Sequence, residues 1–210
     1  MSVLVEISEN LQKGRVKAVT TLIQTALDEK IEAKDIMQSL LDGMAVIGEK
    51  FKNDEVYVPE VLISARAMTK GMDMLKPYMK DGDVEVKGRV CIGTVQGDLH
   101  DIGKNLVKLM LESKGLEVID LGTNVSPEMF VNTAIEKECD IICCSALLTT
   151  TMTVMGDVVK LAEEKGIRDK VKIMVGGAPV DDRFAESIGA DKYTSDAASA
   201  ADAAVAFLNA

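Results

Sequence analysis

The sequence predicts an α/β protein in which a helical bundle at residues 1–82 precedes a doubly wound parallel sheet at residues 83–210. Two observations carry this prediction. Apolar residues recur at helical spacing through the first part, whereas short continuous apolar runs alternate with amphipathic segments in the second. A polar stretch with two glycines, residues 81–88, stands between the two patterns and is predicted to be a linker.

Three helices are predicted in the first part, each from one run of apolar residues spaced three and four apart. The runs are Val16, Val19, Ile23, Ala26 and Leu27; Ile36, Leu40, Leu41, Met44 and Ile47; and Val61, Leu62, Ala65, Met68, Met72 and Leu75. Pro59 suits the first turn of the third helix, where a backbone N–H has no partner within the helix. Together these segments predict a small helical bundle.

The second part alternates strand and helix along its whole length. The predicted strands are Arg89–Val95, Glu117–Leu121, Asp140–Ala146, Val171–Val175 and a weak one at Lys192–Tyr193. The predicted helices are Ile102–Ser113, Pro127–Glu138, Met152–Glu164, one near Asp181–Ser187 and an Ala-rich one from Asp196. This order predicts a flavodoxin-like sheet of five parallel strands, and ligands of such sheets bind at the carboxyl ends of the strands.

Composition and charge exclude several classes of function. The net charge is −10, mostly from residues 83–210, and no basic stretch is present to neutralise phosphates, so we expect no nucleic-acid binding. No apolar run approaches the roughly 20 residues of a membrane helix, and the N-terminus lacks the basic region of a secretory signal. We therefore expect no membrane attachment and a cytoplasmic location. Cys91, Cys143 and Cys144 lie in apolar runs and are expected to be buried thiols.

The residue with the clearest chemistry is His100, the only histidine of the chain. It lies in the loop Gly97–Gly103 that follows the first predicted strand, and Asp98 precedes it by two positions. Neutral imidazole is a preferred ligand of transition metals, and a metal-bound histidine usually donates its other ring N–H to a carboxylate. One histidine cannot hold zinc by itself, whereas a metal already chelated by a macrocycle needs only one protein ligand.

The pattern Asp98-x-His100-x-x-Gly103 resembles the signature of cobalamin-binding domains, and residues 97–107 are very similar to the corrinoid proteins of methyltransferase systems. Further similar segments follow in the family's order: residues 145–152, 175–179 and 190–197. The first part matches as well, because Asp42-Gly43-Met44, Phe51 and Val58-Pro59 resemble the helical cap bundle of methionine synthase and of the corrinoid proteins. The resemblance spans nearly the whole chain.

The resemblance implies one cobalamin per chain, as methylcobalamin or a related corrinoid. His100 would replace the benzimidazole of the cofactor as the lower axial ligand of cobalt, and the nucleotide tail would enter a slot in the α/β domain. The residues implied in binding are Gly97, Asp98, Leu99, His100, Asp101, Ile102, Gly103, Ser145, Leu147, Thr149, Thr151, Gly176, Gly177 and Ala197.

Individual roles are implied by the same resemblance. Ser145 and Thr149 would bond the nucleotide tail, the glycine pair at 176–177 would let the backbone approach it, and Ala197 would line the slot. Thr151 stands where methionine synthase has a serine that extends the His–Asp relay, so here the hydroxyl is kept and a methyl group is added.

The resemblance also implies the function. The helical cap would cover the upper face of the corrinoid, with Phe51 and Val58 against the methyl group. The chain would cycle between Co(I) and methyl-Co(III), taking a methyl group from a donor-specific methyltransferase and passing it to a second methyltransferase that serves a folate or coenzyme M. A reductive activase is the third expected partner, and the chain alone is expected to turn over no methyl donor.

Other interpretations of the same residues remain open in the sequence. Phe51 and Val58 fit a bundle core, the glycine pair fits a tight turn, and Ser145 fits a small buried residue. A cobalamin-binding mutase subunit or a cobalamin-dependent regulator would share the histidine motif. A nucleotide-binding protein would use an acid such as Asp120 at the end of the second strand, although the glycines of the first loop do not form GxGxxG.

Overall fold

The computed structural model describes residues 2–79 and 87–209. The chain divides into two compact units, one helical and one α/β. The domain boundary predicted between residues 82 and 83 and most of the predicted linker lie outside the described residues, so that boundary stays a prediction. None of the described helices is both long and apolar enough to cross a membrane.

The described part of the helical unit consists of four α-helices and a final 3₁₀ turn at Lys76–Tyr78. The helices are α1 (Val3–Gln12), α2 (Val16–Asp28), α3 (Ala33–Lys52) and α4 (Val58–Leu75). None of the three predicted runs covers helix α1, so the prediction of three helices was wrong. The apolar pattern of α1 is short, because only Ile7 and Leu11 are fully buried. The helix packs against α2 and α3.

The α/β unit contains one sheet of five parallel strands in the order β2-β1-β3-β4-β5. The strands are β1 (Arg89–Thr94), β2 (Glu117–Asp120), β3 (Ile141–Ser145), β4 (Lys172–Gly176) and β5 (Lys192–Tyr193). The helices are α5 (Ile102–Ser113), α6 (Pro127–Glu136), α7 (Val154–Glu164), α8 (Asp182–Ser187) and α9 (Ala197–Leu208). This is the strand order of flavodoxin, so the predicted fold class, helices followed by a doubly wound five-stranded sheet, is confirmed.

Two helix ends differ from the prediction. Helix α6 ends at Glu136, two residues before the predicted end at Glu138. Glu138 adopts a positive φ of 51°, which is incompatible with a continuing α-helix. Helix α7 begins at Val154 rather than Met152, because residues 149–153 form turns after β3. That second difference concerns the site, since Thr151 lies in these turns.

The position of the site follows from the strand order. The chain moves outward from β1 to β2 and then returns to the other side of β1 with β3. The loops after β1 and β3 therefore leave the carboxyl edge of the sheet side by side and diverge, which is the place where open α/β sheets bind ligands. Both strands are almost fully buried, so they hold these two loops on a rigid base.

Candidate functional site

The loop after β1 is held by hydrogen bonds at several points of its backbone. Gly97 adopts a φ of +85°, which favours glycine, and its N–H donates to Asn124 Oδ1 at 2.8 Å. The N–H of Asn124 donates in return to the carbonyl of Asp98 at 3.0 Å. The buried hydroxyl of Thr94 donates to the carbonyl of His100 at 2.8 Å. The loop thus has a defined backbone before any ligand is considered.

The carboxylate of Asp98 is the centre of the site. Its side chain is fully buried, yet both oxygens have donors. Oδ1 lies 2.7 Å from Nδ1 of His100 and accepts the His100 backbone N–H at 3.1 Å. Oδ2 accepts the N–H groups of Leu147 and Leu148 at 2.8 and 3.3 Å and the hydroxyl of Thr151 at 2.8 Å. One carboxylate thereby joins the loops after β1 and β3.

These donors decide the charge of Asp98. Burial alone would raise the pKa of the Asp98 carboxyl, but the hydrogen bonds from Leu147, His100 and Thr151 outweigh it and hold the pKa well below its usual range. Asp98 is therefore an ionised acceptor at neutral pH. Because an ionised carboxylate can only accept, the short contact with His100 requires the ring proton to be on Nδ1.

The imidazole of His100 is left with one free coordinating atom. With the proton of the neutral ring on Nδ1, the lone pair lies on Nε2. The side chain is 53% exposed, and within the described part of the α/β unit we find no hydrogen bond to Nε2. A buried carboxylate that fixes the tautomer of a half-exposed histidine is the usual arrangement behind a metal-bound imidazole.

Apolar side chains of the loops after β1 and β3 are exposed to an unusual degree. The exposed fractions are 73% for Leu99, 77% for Ile102, 43% for Leu147 and 42% for Leu148. Asp101 and Gly103 of the same loop are exposed as well. Such an exposed apolar surface around a single ligand atom suits a large flat molecule that brings its own metal. The donor set therefore fits the corrinoid that the sequence predicts.

The remaining α/β residues of the prediction lie near the same edge of the sheet. Ser145 ends β3, is half-buried and pairs in register with Gly176 at the end of β4, so Ser145 is not the fully buried small residue of the alternative interpretation. Thr149 is exposed in the turns after β3. Ala197 is buried as the first residue of α9, directly after the N-cap Asp196.

Gly177 has a structural requirement of its own. It adopts a φ of +130°, and a Cβ there would lie 1.8 Å from the carbonyl oxygen of Ala146. The glycine lets the backbone after β4 approach the backbone after β3, as the tight-turn interpretation predicts. A Cβ at Gly176, by contrast, would meet only the carbonyl oxygen of Thr194, at 3.8 Å. Close backbone approach therefore explains Gly177 but leaves Gly176 unexplained.

Phe51 and Val58 belong to the helical unit. Phe51 lies near the end of α3 and Val58 is the first residue of α4. Both side chains are half-buried, so neither is part of the fully buried core of the bundle. Their predicted position over the methyl group stays a prediction.

Four contributors to the site were missed from the sequence. They are Thr94, Asn124 and the N–H groups of Leu147 and Leu148, although Leu147 itself was predicted to bind the cofactor. Thr94 bonds a residue of its own loop, whereas the other three act through partners that are distant in the chain. Asn124 alone had a signal: asparagine tolerates positive φ, and the segment Gly-Thr-Asn before a Ser-Pro helix start is typical of a loop.

Neither Asp120 nor the cysteines are in an environment that suits the competing chemistry, nucleotide binding for Asp120 and nucleophilic attack for the thiols. Asp120, the acid considered for nucleotide binding, is engaged by the ammonium groups of Lys104 and Lys108 and by the Gly122 N–H. The four cysteines are buried and free, and burial raises the pKa of the Cys143 thiol to about 12. That thiol is not a nucleophile at neutral pH.

Comparison with known proteins agrees with this geometry. Residues 88–205 match the B12 binding domain family, and residues 3–76 match a second family described as a B12 binding domain. A corrinoid protein of Desulfitobacterium hafniense is 42% identical over 100% of this chain and 97% of its own length. A dimethylamine corrinoid protein of Methanosarcina acetivorans is 41% identical over 87% of this chain and 86% of its own length.

A solved structure shares the fold of the whole described chain. The methanol:cobalamin methyltransferase complex of Methanosarcina barkeri contains a chain that superimposes with a TM-score of 0.91 at 28% identity. The alignment covers 99% of this chain and 80% of that chain.

Proposed function

Because this chain belongs to the B12-binding corrinoid proteins of methyltransferase systems, we propose that it is a methyl carrier that works between two methyltransferases. The observation that supports this function best is the half-exposed imidazole of His100, whose Nδ1 proton is held by the buried carboxylate of Asp98. The bound corrinoid supplies a cobalt ion that accepts and releases a methyl group.

The protein holds the metal through one atom, Nε2 of His100. Asp98 keeps the Nδ1–H tautomer and fixes the plane of the ring. Leu147 and Thr151 in turn hold Asp98, so the loops after β1 and β3 act as one support for the imidazole. The exposed Leu99 and Ile102 offer an apolar surface that excludes water beside the ring.

The same chain of groups extends from the ring to Thr151. The Asp98 carboxylate accepts the Nδ1 proton with one oxygen and the Thr151 hydroxyl with the other. The hydroxyl of Thr151 lies 2.8 Å from Asp98 Oδ2 and 3.0 Å from the carbonyl oxygen of Leu148. Its single O–H can donate to either acceptor, so Thr151 can adjust how strongly the carboxylate holds the ring proton.

The other predicted residues complete the proposal. Ser145, Thr149 and Ala197 contact the nucleotide tail, and Gly176 leaves space for it, since its missing side chain has no other explanation. Phe51 and Val58 shield the methyl group. The chain binds one corrinoid.

The partners are a donor-specific methyltransferase, an acceptor methyltransferase for a folate or coenzyme M, and a reductive activase. The names of similar proteins mention dimethylamine and methanol as substrates of their own systems. We therefore propose a methylated amine or methanol as the first donors to test.

The direct test loads the purified chain with a corrinoid, reduces it, and adds each donor with and without a donor-specific methyltransferase. Methyl transfer, followed by the absorbance of the corrinoid, should occur only when the methyltransferase is present. Efficient transfer from a donor to the chain alone would contradict the carrier role. A corrinoid that binds but takes part only in carbon-skeleton rearrangement would favour the mutase subunit.

The shielding role of Phe51 has a separate test. We expect Phe51→Ala to increase the rate of photolysis of bound methylcobalamin several-fold while leaving corrinoid affinity nearly unchanged. Phe207→Ala is the matched control, because Phe207 is also half-buried but lies on α9. Equal photolysis rates in the two variants and the wild type would remove Phe51 from the proposal.

A further inference from the structure

The last residue of β2 and the short segment after it contact both ends of the loop that carries His100. At the first end, Asn124 accepts the Gly97 N–H with its side-chain oxygen at 2.8 Å and donates its own N–H to the carbonyl of Asp98 at 3.0 Å. Asn124 makes both bonds from a left-handed backbone with φ of 56°. The side chain and the backbone of one residue thus hold the two peptides on either side of the Gly97–Asp98 peptide.

The second end of the loop is held by an ion pair whose ammonium group is buried. Lys104 lies in the first turn of α5, four residues after His100, and its side chain is only 2% exposed. Its ammonium group donates to Oδ1 of Asp120, the last residue of β2, at 2.5 Å and to Asn105 Oδ1 at 2.8 Å. Asp120 also accepts the Gly122 N–H at 3.0 Å.

This ion pair is hard to explain by stability alone. Removing an ammonium group from water is costly, and a buried ion pair is often no more stable than two apolar residues of similar volume. The pair does, however, fix the distance and direction between the start of α5 and the end of β2, which an apolar contact would fix less well. A geometric function is therefore the better explanation.

We propose that Asp120 and Asn124 are positioning residues for His100: together they hold residues 97–104 at both ends, so that Nε2 presents its lone pair in one orientation. This inference rests on the proposed function, because it assigns a purpose to that orientation. The residues act through the loop backbone and through Asp98. Outer partners of metal-binding histidines typically contribute about tenfold or more to metal affinity.

The chain offers a matched control at the opposite edge of the sheet. Arg168 pairs with Asp191 at 2.9 Å, the two side chains are 21% and 16% exposed, and Asp191 also accepts a backbone N–H, that of Ile173, at 2.7 Å. Like the Lys104–Asp120 pair, it joins two segments that are distant in the chain, but these precede β4 and β5 and so lie at the amino edge.

Four variants separate the alternatives. Asn124→Gly keeps the positive φ and removes the acceptor, whereas Asn124→Asp keeps an acceptor. The double variant Lys104→Met/Asp120→Asn removes both charges and keeps an oxygen for the Gly122 N–H. The double variant Arg168→Met/Asp191→Asn makes the same change at the control pair.

The first measurement needs no cofactor. Long-range ¹H–¹⁵N NMR of the imidazole reports the ring tautomer, and the signal is unambiguous because His100 is the only histidine. The wild type should show mainly the Nδ1–H form. Asn124→Gly and the Lys104/Asp120 variant should lower its population, while Asn124→Asp and the Arg168/Asp191 variant should keep it.

The second measurement is the dissociation constant of the corrinoid. We expect it to rise about tenfold in Asn124→Gly and in the Lys104/Asp120 variant, and to stay within about twofold in the other two. Unchanged tautomer and affinity in Asn124→Gly, or equal changes in the Arg168/Asp191 control, would overturn the positioning role. A wild type that binds no corrinoid would instead refute the proposed function, and the NMR result would still decide the inference.

Discussion

Two carboxylates at opposite edges of the sheet have similar hydrogen-bond partners, but only one of them holds a side chain with a further free nitrogen. Asp98 at the carboxyl edge and Asp191 at the amino edge each accept backbone N–H groups from a neighbouring segment and a side-chain donor. At the amino edge the nearest cation is Arg168, whose guanidinium also bonds the carbonyls of Val171 and Gly189. The ammonium group of Lys172 lies 3.7 Å from the same carboxylate.

At the carboxyl edge the network does not close. Asp98 has two side-chain donors, Thr151 and His100. His100 gives one ring nitrogen to Asp98 and leaves the other on a half-exposed ring. The comparison shows how little separates a structural ion pair from the metal site that we propose at His100. The difference is a donor with a second usable atom, placed where the strand order opens the edge of the sheet.

The largest expected effect is that of removing each carboxylate. Asp98→Ala should lower the free energy of unfolding by about 4 kcal/mol, because several buried donors lose their acceptor, whereas Asp191→Ala should cost about 2 kcal/mol. Only Asp98→Ala should change the His100 tautomer. Urea unfolding followed by circular dichroism measures the first quantity, and imidazole NMR the second. Equal tautomer changes in both variants would contradict the assignment of the His100 tautomer to Asp98.

Two glycines test the backbone at the two edges. Gly177→Ala should cost about 3 kcal/mol, because its Cβ would collide with the Ala146 carbonyl oxygen just before Leu147, which holds Asp98. Gly189→Ala at the amino edge also has positive φ, but its Cβ would lie 3.6 Å from Val159 Cγ1, so only backbone strain of about 1 kcal/mol is expected. Similar melting temperatures for the two variants would contradict this difference.

The hydroxyl of Thr151 gives a smaller effect with a clean control. Thr151→Val keeps the shape and loses the bond to Asp98 Oδ2, at an expected cost of about 2 kcal/mol for a bond to an ionised acceptor. Thr151→Ser keeps the bond and should cost less than about 1 kcal/mol. The unfolding free energies of the two variants at pH 7 decide between them, and a Ser variant as unstable as the Val variant would assign the effect to the methyl group.

The charge of Asp98 predicts a pH dependence. Burial opposes ionisation, but the hydrogen bonds from Leu147, His100 and Thr151 prevail and lower the pKa of this carboxyl in the folded state. Such a group contributes stability above its unfolded pKa and loses it as the pH falls towards the folded pKa. The stability difference between wild type and Asp98→Asn should therefore be full above about pH 5 and shrink below about pH 4. A difference that grows in acid would contradict an ionised Asp98.

The sequence was sufficient for the fold and for the local part of the site. Alternating apolar runs predicted the parallel sheet. A spacing of two residues suggested that Asp98 lies beside His100, and the structure has the two side chains 2.7 Å apart. Both signals are local in the chain. Helix α1 was missed because its buried apolar face is short: only Ile7 and Leu11 of its ten residues are fully buried.

The long-range part of the site could not be predicted in this way. Leu147 contributes a backbone N–H, which no side chain announces, and its bond to Asp98 spans 49 residues. The requirement at Gly177 depends on a carbonyl of another loop. Asn124 contributes through a left-handed backbone that asparagine permits but does not dictate. Such contacts depend on which loops the sheet brings together.

We propose that His100 binds the metal of the corrinoid, and the single histidine permits a direct test. The chain is produced with ¹⁵N-histidine, loaded with an unlabelled cobalamin and reduced to Co(II), and its electron paramagnetic resonance spectrum is compared with that of unlabelled protein. Nitrogen-14 splits each cobalt line into a triplet and nitrogen-15 into a doublet. We predict that labelling converts triplets into doublets. Triplets that persist in the labelled protein would show that the benzimidazole remains on cobalt and would contradict coordination by His100.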